Sequence, residues 1–423
     1  MRPFRALTYR QRDPGHLARV SSPAYDLVTT AARDRLATAD PHNVVRLILP
    51  EPAGPGEAVR QPADRLRLVM AHAARTLREW ETAGVLQRDD RPALWVYELR
   101  PSDGTPATIG WLGAVALPPP GSPAVLPHED TFPAAVEGRR ALLAATETDL
   151  EPIVLAHDPD QELSELTAAA RSGEPSLRLV DDDGVDHRLW RVTDVDVLAG
   201  VGAALARTTA VIADGHHRFA AAQAHAREVR GTPEHPAVLA LVTPMGPGGL
   251  RVEPIHRVVP GLDLATAAAS AARGFRVTPL DVPDDAALRT AVRDWQADPG
   301  RSGFLVTDGT GLLRLDRPDD AVRAAVPTEA PSAWQRLDVV LAHHGLFQRL
   351  WGLGDGPDDV LVAHDLAQAL QSAVERGGVA VLLRAPSPGD VAAVARAGAR
   401  MPRKSTLFVP KPRTGLVFRP HGA

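Results

Sequence analysis

The chain has no cysteine, and its 423 residues include only two lysines and one asparagine. Without cysteine there can be no disulfide, no thiolate-held zinc and no thiol nucleophile, so histidine and carboxylates are the only strong metal ligands left. Aromatics make up 4% of the sequence, and no apolar run approaches the eighteen or so residues of a membrane-spanning helix. The opening MRPFRALTYRQRDPG lacks the apolar centre of a signal peptide, which leads to the expectation of a cytoplasmic protein with no membrane partner. Forty-seven basic against 52 acidic residues leave a net charge of −5. General attraction to phosphate backbones is therefore missing, and no nucleic-acid partner is expected.

The scarcity of lysine and asparagine is informative. Their codons begin with two A/T letters, and the abundance of Ala, Arg, Gly and Pro points to strong G+C bias. Arginine does nearly all the cationic work, so Lys404 and Lys411, seven positions apart in MPRKSTLFVPKP, mark places where a compact ammonium is needed and a guanidinium does not substitute. Chance survival is the competing explanation.

What is present reads as ordinary globular protein, 44% hydrophobic and 23% charged, long enough for two or three domains. Strand-like runs (PFRALTYR, VVRLILP, PALWVYELR, IGWLGAVAL, TTAVIA) alternate with helical ones, which predicts an α/β or α+β fold with mixed sheets. Three regions are expected: 1–259, an N-terminal α/β region carrying a phosphate-binding core; 260–331, a smaller α/β unit; and 332–423, a C-terminal α/β region returning MPRKST to the site.

The sharpest motif is TTAVIADGHHRFAAAQ, a strand delivering Asp214, Gly215, His216, His217 and Arg218 to a helix start, with Asp214 as expected N-cap and Gly231 beyond the far end. Unpaired N–H groups, the positive end of the helix dipole, a close-approach glycine and an arginine fork suit phosphate oxygens. A plain capped helix is the alternative. MPRKSTLFVPKP brings Arg403, Lys404, Ser405, Thr406 and Lys411 together as an anion-neutralising stretch or a guarded edge strand. It is no Walker A loop, which would need glycine at 403. VSSPAYDLV offers Tyr25 and Asp26, the latter as base or Mg²⁺ ligand, and DPHNVVRLILP offers Asn43 and Arg46 to phosphate or sugar; turn chemistry explains these equally well. LPHEDTF supplies His128 and Glu129, with Arg139 onward, and EPIHRVV places His256 and Arg257 at a cleft or rim, all as substrate or supporting groups. Asp214 and Glu129 are the expected Mg²⁺ ligands. No HExxH, GxSxG or GxGxxG is found.

VIADGHHRFAAA, LPHEDT, EPIHRVV and MPRKSTLFVPK, in this order and with PFRALTY, SSPAYDLV and DPHNVVRLILP before them, resemble an uncharacterised prokaryotic family marked by an ADGHHR motif and a closing MPxKST-F-PK motif. The GHHRFAAAQ helix start is more distantly similar to the phosphate-binding helix of the ParB/sulfiredoxin superfamily, which includes CTP-binding partition proteins, sulfiredoxins and kinases of free serine. Sulfiredoxin chemistry needs a cysteine that this chain lacks. The resemblance implies a nucleotide-binding core, ATP, ADP or pyrophosphate as phosphoryl donor with Mg²⁺, and a small hydroxyl amino acid, free L-serine, as acceptor. Asp26 matches the acidic catalytic base of those kinases, and Lys404 and His217 join it as catalytic candidates. Two other expectations are carried: a nucleotide-binding switch or scaffold without turnover, and a metal-dependent phosphohydrolase using His128, Glu129, His216 and His217. A homodimer is left open.

Overall fold

A computed structural model describes residues 1–51, 62–119, 121–229, 236–246, 248–298, 303–354, 356 and 358–422. Gly231 lies outside the described residues. The chain divides into two compact units, residues 1–251 with 410–423, and residues 252–409. The stretch 260–331 therefore shares a unit with most of the segment that follows it, and the last fourteen residues belong to the first unit.

The first unit is built on an eight-stranded mixed sheet. Its strands are β1 (Leu94–Arg100), β2 (Thr108–Ala116), β3 (Val125–Leu126), β4 (Ile153–His157), β5 (Leu177–Val180), β6 (Asp186–Val192), β7 (Ala210–Asp214) and β8 (Ala237–Pro244), in the order β3-β7-β4-β8-β2-β1-β6-β5. β7 pairs parallel with β3 and β8 pairs parallel with β4; the remaining pairs are antiparallel. Helices cover it: α1 (Pro133–Thr146), α2 (Gln161–Ala170), α3 (Val195–Ala206) and α4 (His216–Glu228). Alternate residues of β1 enter different cores, Trp95, Tyr97 and Leu99 with the helix Pro62–Thr82, and Leu94 and Val96 with α2 and α3. A sheet buried on both faces needs apolar residues at every strand position, which is why PALWVYELR and AVLALVT read as near-continuous apolar runs. Asp160 and Asp194 cap α2 and α3 by accepting from Leu163 N and Val197 N.

VVRLILP is a correction: it forms no strand but a short helix, Val45–Ile48. Asn43 is the cause. Its amide donates to the carbonyls of Arg19 (2.6 Å) and Ser21 (3.0 Å), and its Oδ1 accepts from Val45 N (2.9 Å), a buried clamp that turns the chain and starts the helix. Asn43 is thus spent on structure and offers nothing to phosphate or sugar. Arg46 likewise donates to the Ala37 carbonyl at 2.6 Å.

The second unit holds a six-stranded, wholly antiparallel sheet: β9 (His256–Val259), β10 (Arg276–Leu280), β11 (Phe304–Thr307), β12 (Leu312–Asp316), β13 (Leu361–Ala363) and β14 (Val379–Leu382), ordered β10-β12-β11-β14-β9-β13. Phe275, Phe304, Leu346 and Phe347 fill one core and Trp295 with Leu288 the other. His256 and Arg257, expected at a cleft or rim, are buried instead. His256 Nδ1 accepts from Leu383 N, and Arg257 donates to the carbonyls of Arg403 and Lys404, bracing the MPRKST turn within this unit, where Lys404 takes a left-handed φ of 54°. Ser405 donates to the Pro402 carbonyl.

Burial pushes the His256 pKa down to about 4. Between the unfolded value of about 6.5 and that figure the unfolded chain binds a proton that the folded one does not, so stability present above pH 6.5 is lost as pH falls through the window. Urea titrations are expected to show about 3 kcal/mol more loss from pH 7 to pH 4 in the wild type than in His256→Gln; equal slopes would place the acid sensitivity elsewhere.

Candidate functional site

The geometry of the ADGHHR turn follows from one residue. Gly215 sits at φ +92°, and a Cβ there would lie 2.7 Å from Ile153 Cγ2, so only glycine joins β7 to α4 at this spacing. Gly215 itself occupies the N-cap, and no side chain caps the helix. This corrects the expected Asp214 cap: the thirteen-residue helix starts from a glycine that has no side chain to cap it.

Asp214 has other work. One oxygen lies 2.8 Å from the ammonium of Lys411, and the other accepts from Arg218. Lys411 also donates to Asp26 at 2.7 Å, so a single Nζ bridges two carboxylates far apart in the sequence. Burial disfavours the Lys411 charge, but Asp214 and Asp26 together raise its pKa above the ordinary lysine value. Burial likewise opposes ionisation of Asp214, yet Arg218 and then Lys411 hold its carboxyl below the usual carboxylate range. The ion pair is fully charged at neutral pH.

A second acid completes the cluster. Glu151, buried, accepts from Tyr25 N (3.0 Å) and from the Thr414 hydroxyl (3.2 Å), and lies 3.8 Å from Arg139. Arg139 sits over the Tyr25 ring at 4.2 Å and Arg218 at 5.6 Å, a cation–π arrangement that fixes both guanidinium planes. Arg218 further donates to the Pro152 carbonyl, and Arg139 to that of Ile48. Arg139, Glu151 and Arg218 line a small cleft of about 50 Å³ together with Leu142, Leu150 and Ala221. Tyr25, Asp26, Arg139, Asp214, Arg218 and Lys411 are thus brought together as a group.

The two histidines turn elsewhere. His216 Nε2 accepts from His128 N (3.3 Å), and His217 Nε2 accepts from Phe132 N (3.1 Å) while its ring stacks on Phe132. They staple the PHEDTF segment to the start of α4, with the His128 ring 4.6 Å edge-on to that of His216. Glu129 lies 3.9 Å from His128 Nε2. With both Nε2 lone pairs occupied by backbone N–H groups, His216 and His217 do not supply them to a metal, and the hydrolase ligand set is not assembled. Both Asp214 oxygens are held by cations, so it does not fit as a magnesium ligand either. Among the described residues no group of three or more His, Asp and Glu side chains is placed to hold a metal ion. Lys404, Ser405 and Thr406 belong to the second unit.

Sequence reasoning missed Glu151 and Thr414. The signal for the first was available: TDLEPIVLAH sets an acid just before an apolar strand, and the antiparallel register of β4 on β7 pairs Val154 with Asp214, which puts that strand entrance beside the ADGHHR exit.

The family model described as "Protein of unknown function (DUF1015)" matches residues 1–340, and the chain belongs to that family. The match ends before MPRKST. No curated protein matches the chain. Among solved structures it is similar to SbnI with C-terminal truncation from Staphylococcus aureus (12% identity, covering 72% of this chain and 85% of that one, TM-score 0.36). It is also similar to a free serine kinase mutant in complex with AMP (13%, 72% and 92%, 0.33) and to a conserved hypothetical protein from Pyrococcus furiosus (13%, 72% and 93%, 0.33). At such scores these likenesses do not bear on function. No helix among the described residues is long and apolar enough to cross a membrane.

Removing the Glu151 carboxylate by Glu151→Ala leaves Tyr25 N and the Thr414 hydroxyl without their acceptor and is expected to cost about 3 kcal/mol in urea denaturation. Amide exchange at 25–27 should quicken in parallel. A cost within about 0.5 kcal/mol of wild type would show that water replaces the carboxylate there.

Proposed function

We propose that the first unit transfers a phosphoryl group from ATP, ADP or pyrophosphate to a small hydroxyl amino acid, free L-serine, giving O-phosphoserine. The observation that carries this reading is the Lys411 ammonium held between Asp26 and Asp214 at the mouth of the glycine turn that starts α4. Such a helix start favours donor phosphates. Lys411 shifts onto the transferred group as charge develops, and in leaving Asp26 it frees that carboxylate as proton acceptor. The serine oxygen forms the new bond to phosphorus while the bond to the donor's leaving oxygen breaks, and the hydroxyl proton passes to Asp26. This positioning role asks no unusual basicity of Asp26. The cleft bounded by Arg139 and Glu151 offers a guanidinium and a carboxylate side by side, matched to the carboxylate and ammonium of an amino acid. The choice of serine follows the sequence resemblance. Mg²⁺ enters as counter-ion of the donor phosphates; no protein-held magnesium is required.

A binding-only switch has one observation in its favour: Lys411 and Arg218 are both already paired with carboxylates, a cluster closed on itself. Phosphorus NMR of the protein with Mg²⁺, each donor and L-serine separates the two. A new phosphomonoester that falls at least about a hundredfold in rate in both Lys411→Ala and Asp26→Asn, with donor binding retained in Asp26→Asn, supports transfer. Donor binding without product in the wild type moves the switch reading ahead, and absence of donor binding rejects the phosphate cradle.

A further inference from the structure

The first unit carries a second cavity at the opposite end of the sheet. Register sets Asp214 against Val154 and Ala210 against His157, so β4 leaves the Lys411 cluster and ends at His157, about 10 Å further along the strand. There a cavity of about 180 Å³ opens between α2 and the ends of β2, β4 and β8. Trp111, His157 and Pro244 form one wall. From the other come Asp160, Ser164, Thr167 and Arg171, spaced four, three and four residues apart, the stripe by which a helix ordinarily presents apolar side chains to a core. Polar groups on that stripe call for partners.

Most of these partners can be assigned, and the remainder defines the ligand. His157 is 1% exposed, and its Nδ1 lies 2.6 Å from the Asp158 carbonyl, which can only accept. The ring proton therefore sits on Nδ1, and Nε2 carries a lone pair that is buried and has no hydrogen-bond partner. Burial lowers the pKa of this ring, which keeps it neutral at pH 7. Ser164 spends its proton on the Asp160 carbonyl (2.8 Å). Thr167 spends its own on the Leu163 carbonyl (2.6 Å) and accepts from the Trp111 indole (2.8 Å). Both hydroxyls offer lone pairs alone. Asp160 caps α2 with one oxygen, so this helix start takes no anion, and its other oxygen lies 3.8 Å from Arg207; that guanidinium is held more closely by Glu162 at 2.6 Å, so two carboxylates share one cation and negative charge is left over. The end of the cavity at His157 is a set of acceptors with a negative charge, and it asks for a donor.

The other end is the reverse. Arg171, the C-cap residue of α2, is paired through Nη1 with the buried Glu98, which also holds Arg100. Two guanidinium groups against one carboxylate leave net positive charge, and Arg171 Nε is buried with no partner. From Asp160 to Arg171 the helix advances about 16 Å, shortened by the lean of the arginine side chain toward the helix N-terminus.

We infer that this cavity is a second small-molecule site, taking a zwitterion whose ends are separated by a short methylene chain: an ω-amino carboxylate, with its ammonium on His157 Nε2 and Asp160 and its carboxylate on Arg171. An α-amino acid is too short to reach both ends. The inference is independent of the phosphoryl-transfer reading, since no residue is shared between the two sites.

The test titrates the full chain with 4-aminobutyrate, 5-aminopentanoate, and the single-ended controls butylamine and butyrate, following ¹⁵N-labelled histidine by NMR, with the His157 ring assigned through His157→Phe. Expected are saturable binding of at least one ω-amino acid, an upfield shift of the His157 Nε2 resonance on binding, and affinities at least about tenfold weaker for both controls. Asp160→Asn keeps a capping side chain but removes the charge, and should weaken binding about tenfold even if His157→Phe proves too unstable to use. Absence of saturable binding with Nε2 hydrogen-bonded to water alone, equal binding of butylamine, or binding undiminished in Asp160→Asn would each overturn the assignment.

Discussion

The first unit turns on an ammonium between two carboxylates. Lys411 reaches back 385 positions to Asp26, in a turn near the start of the chain, and links it to Asp214, at the end of a central strand. An arginine would not serve there: its planar fork would engage one carboxylate in two parallel bonds, whereas a compact point charge with three rotatable donors can face two at once. Around this bridge the other elements fall into place. Gly215 lets the strand meet its helix against Ile153, Arg218 closes on the second Asp214 oxygen, and Glu151 draws Tyr25 and Thr414 onto the same spot.

Much of this was legible in the sequence, and the reasons are local. The strand, glycine and helix of ADGHHR follow from an apolar run, a residue without Cβ and a helical period, none of which needs distant partners. Lys411 stood out because arginine replaces lysine almost everywhere else in the chain. What failed depended on tertiary contacts. VVRLILP has the composition of a strand, but one buried asparagine amide redirects it into a helix. His216 and His217 have the look of ligands, yet each gives its free lone pair to a backbone N–H of the PHEDTF segment. His256 and Arg257 look like a charged rim and are interior groups of the second unit.

The two cavities of the first unit differ in how they handle polarity. Near Lys411 the charged groups answer one another, so the protein satisfies its own electrostatics and an incoming anion has to compete with internal pairs. Beside α2 the hydroxyls are satisfied by the backbone, while an imidazole nitrogen and a guanidinium N–H are left over. A self-paired cluster favours exchange of partners during a reaction; an incompletely paired wall favours steady occupancy.

The placement of residues 410–423 has a consequence for how the protein comes into being. They belong to the first unit, yet they follow all 158 residues of the second in the chain. Thr414 bridges to Ser22, Phe418 to Leu7, and Lys411 reaches Asp26. During synthesis the eight-stranded sheet can be complete while the cluster beside it still lacks its cation, and a chain cut short anywhere in the second unit keeps the scaffold but never gains the lysine. Assembly of the site therefore waits on synthesis of the whole second unit, and the loop that must close between Asp26 and Lys411 spans 385 residues, which favours a late step in folding.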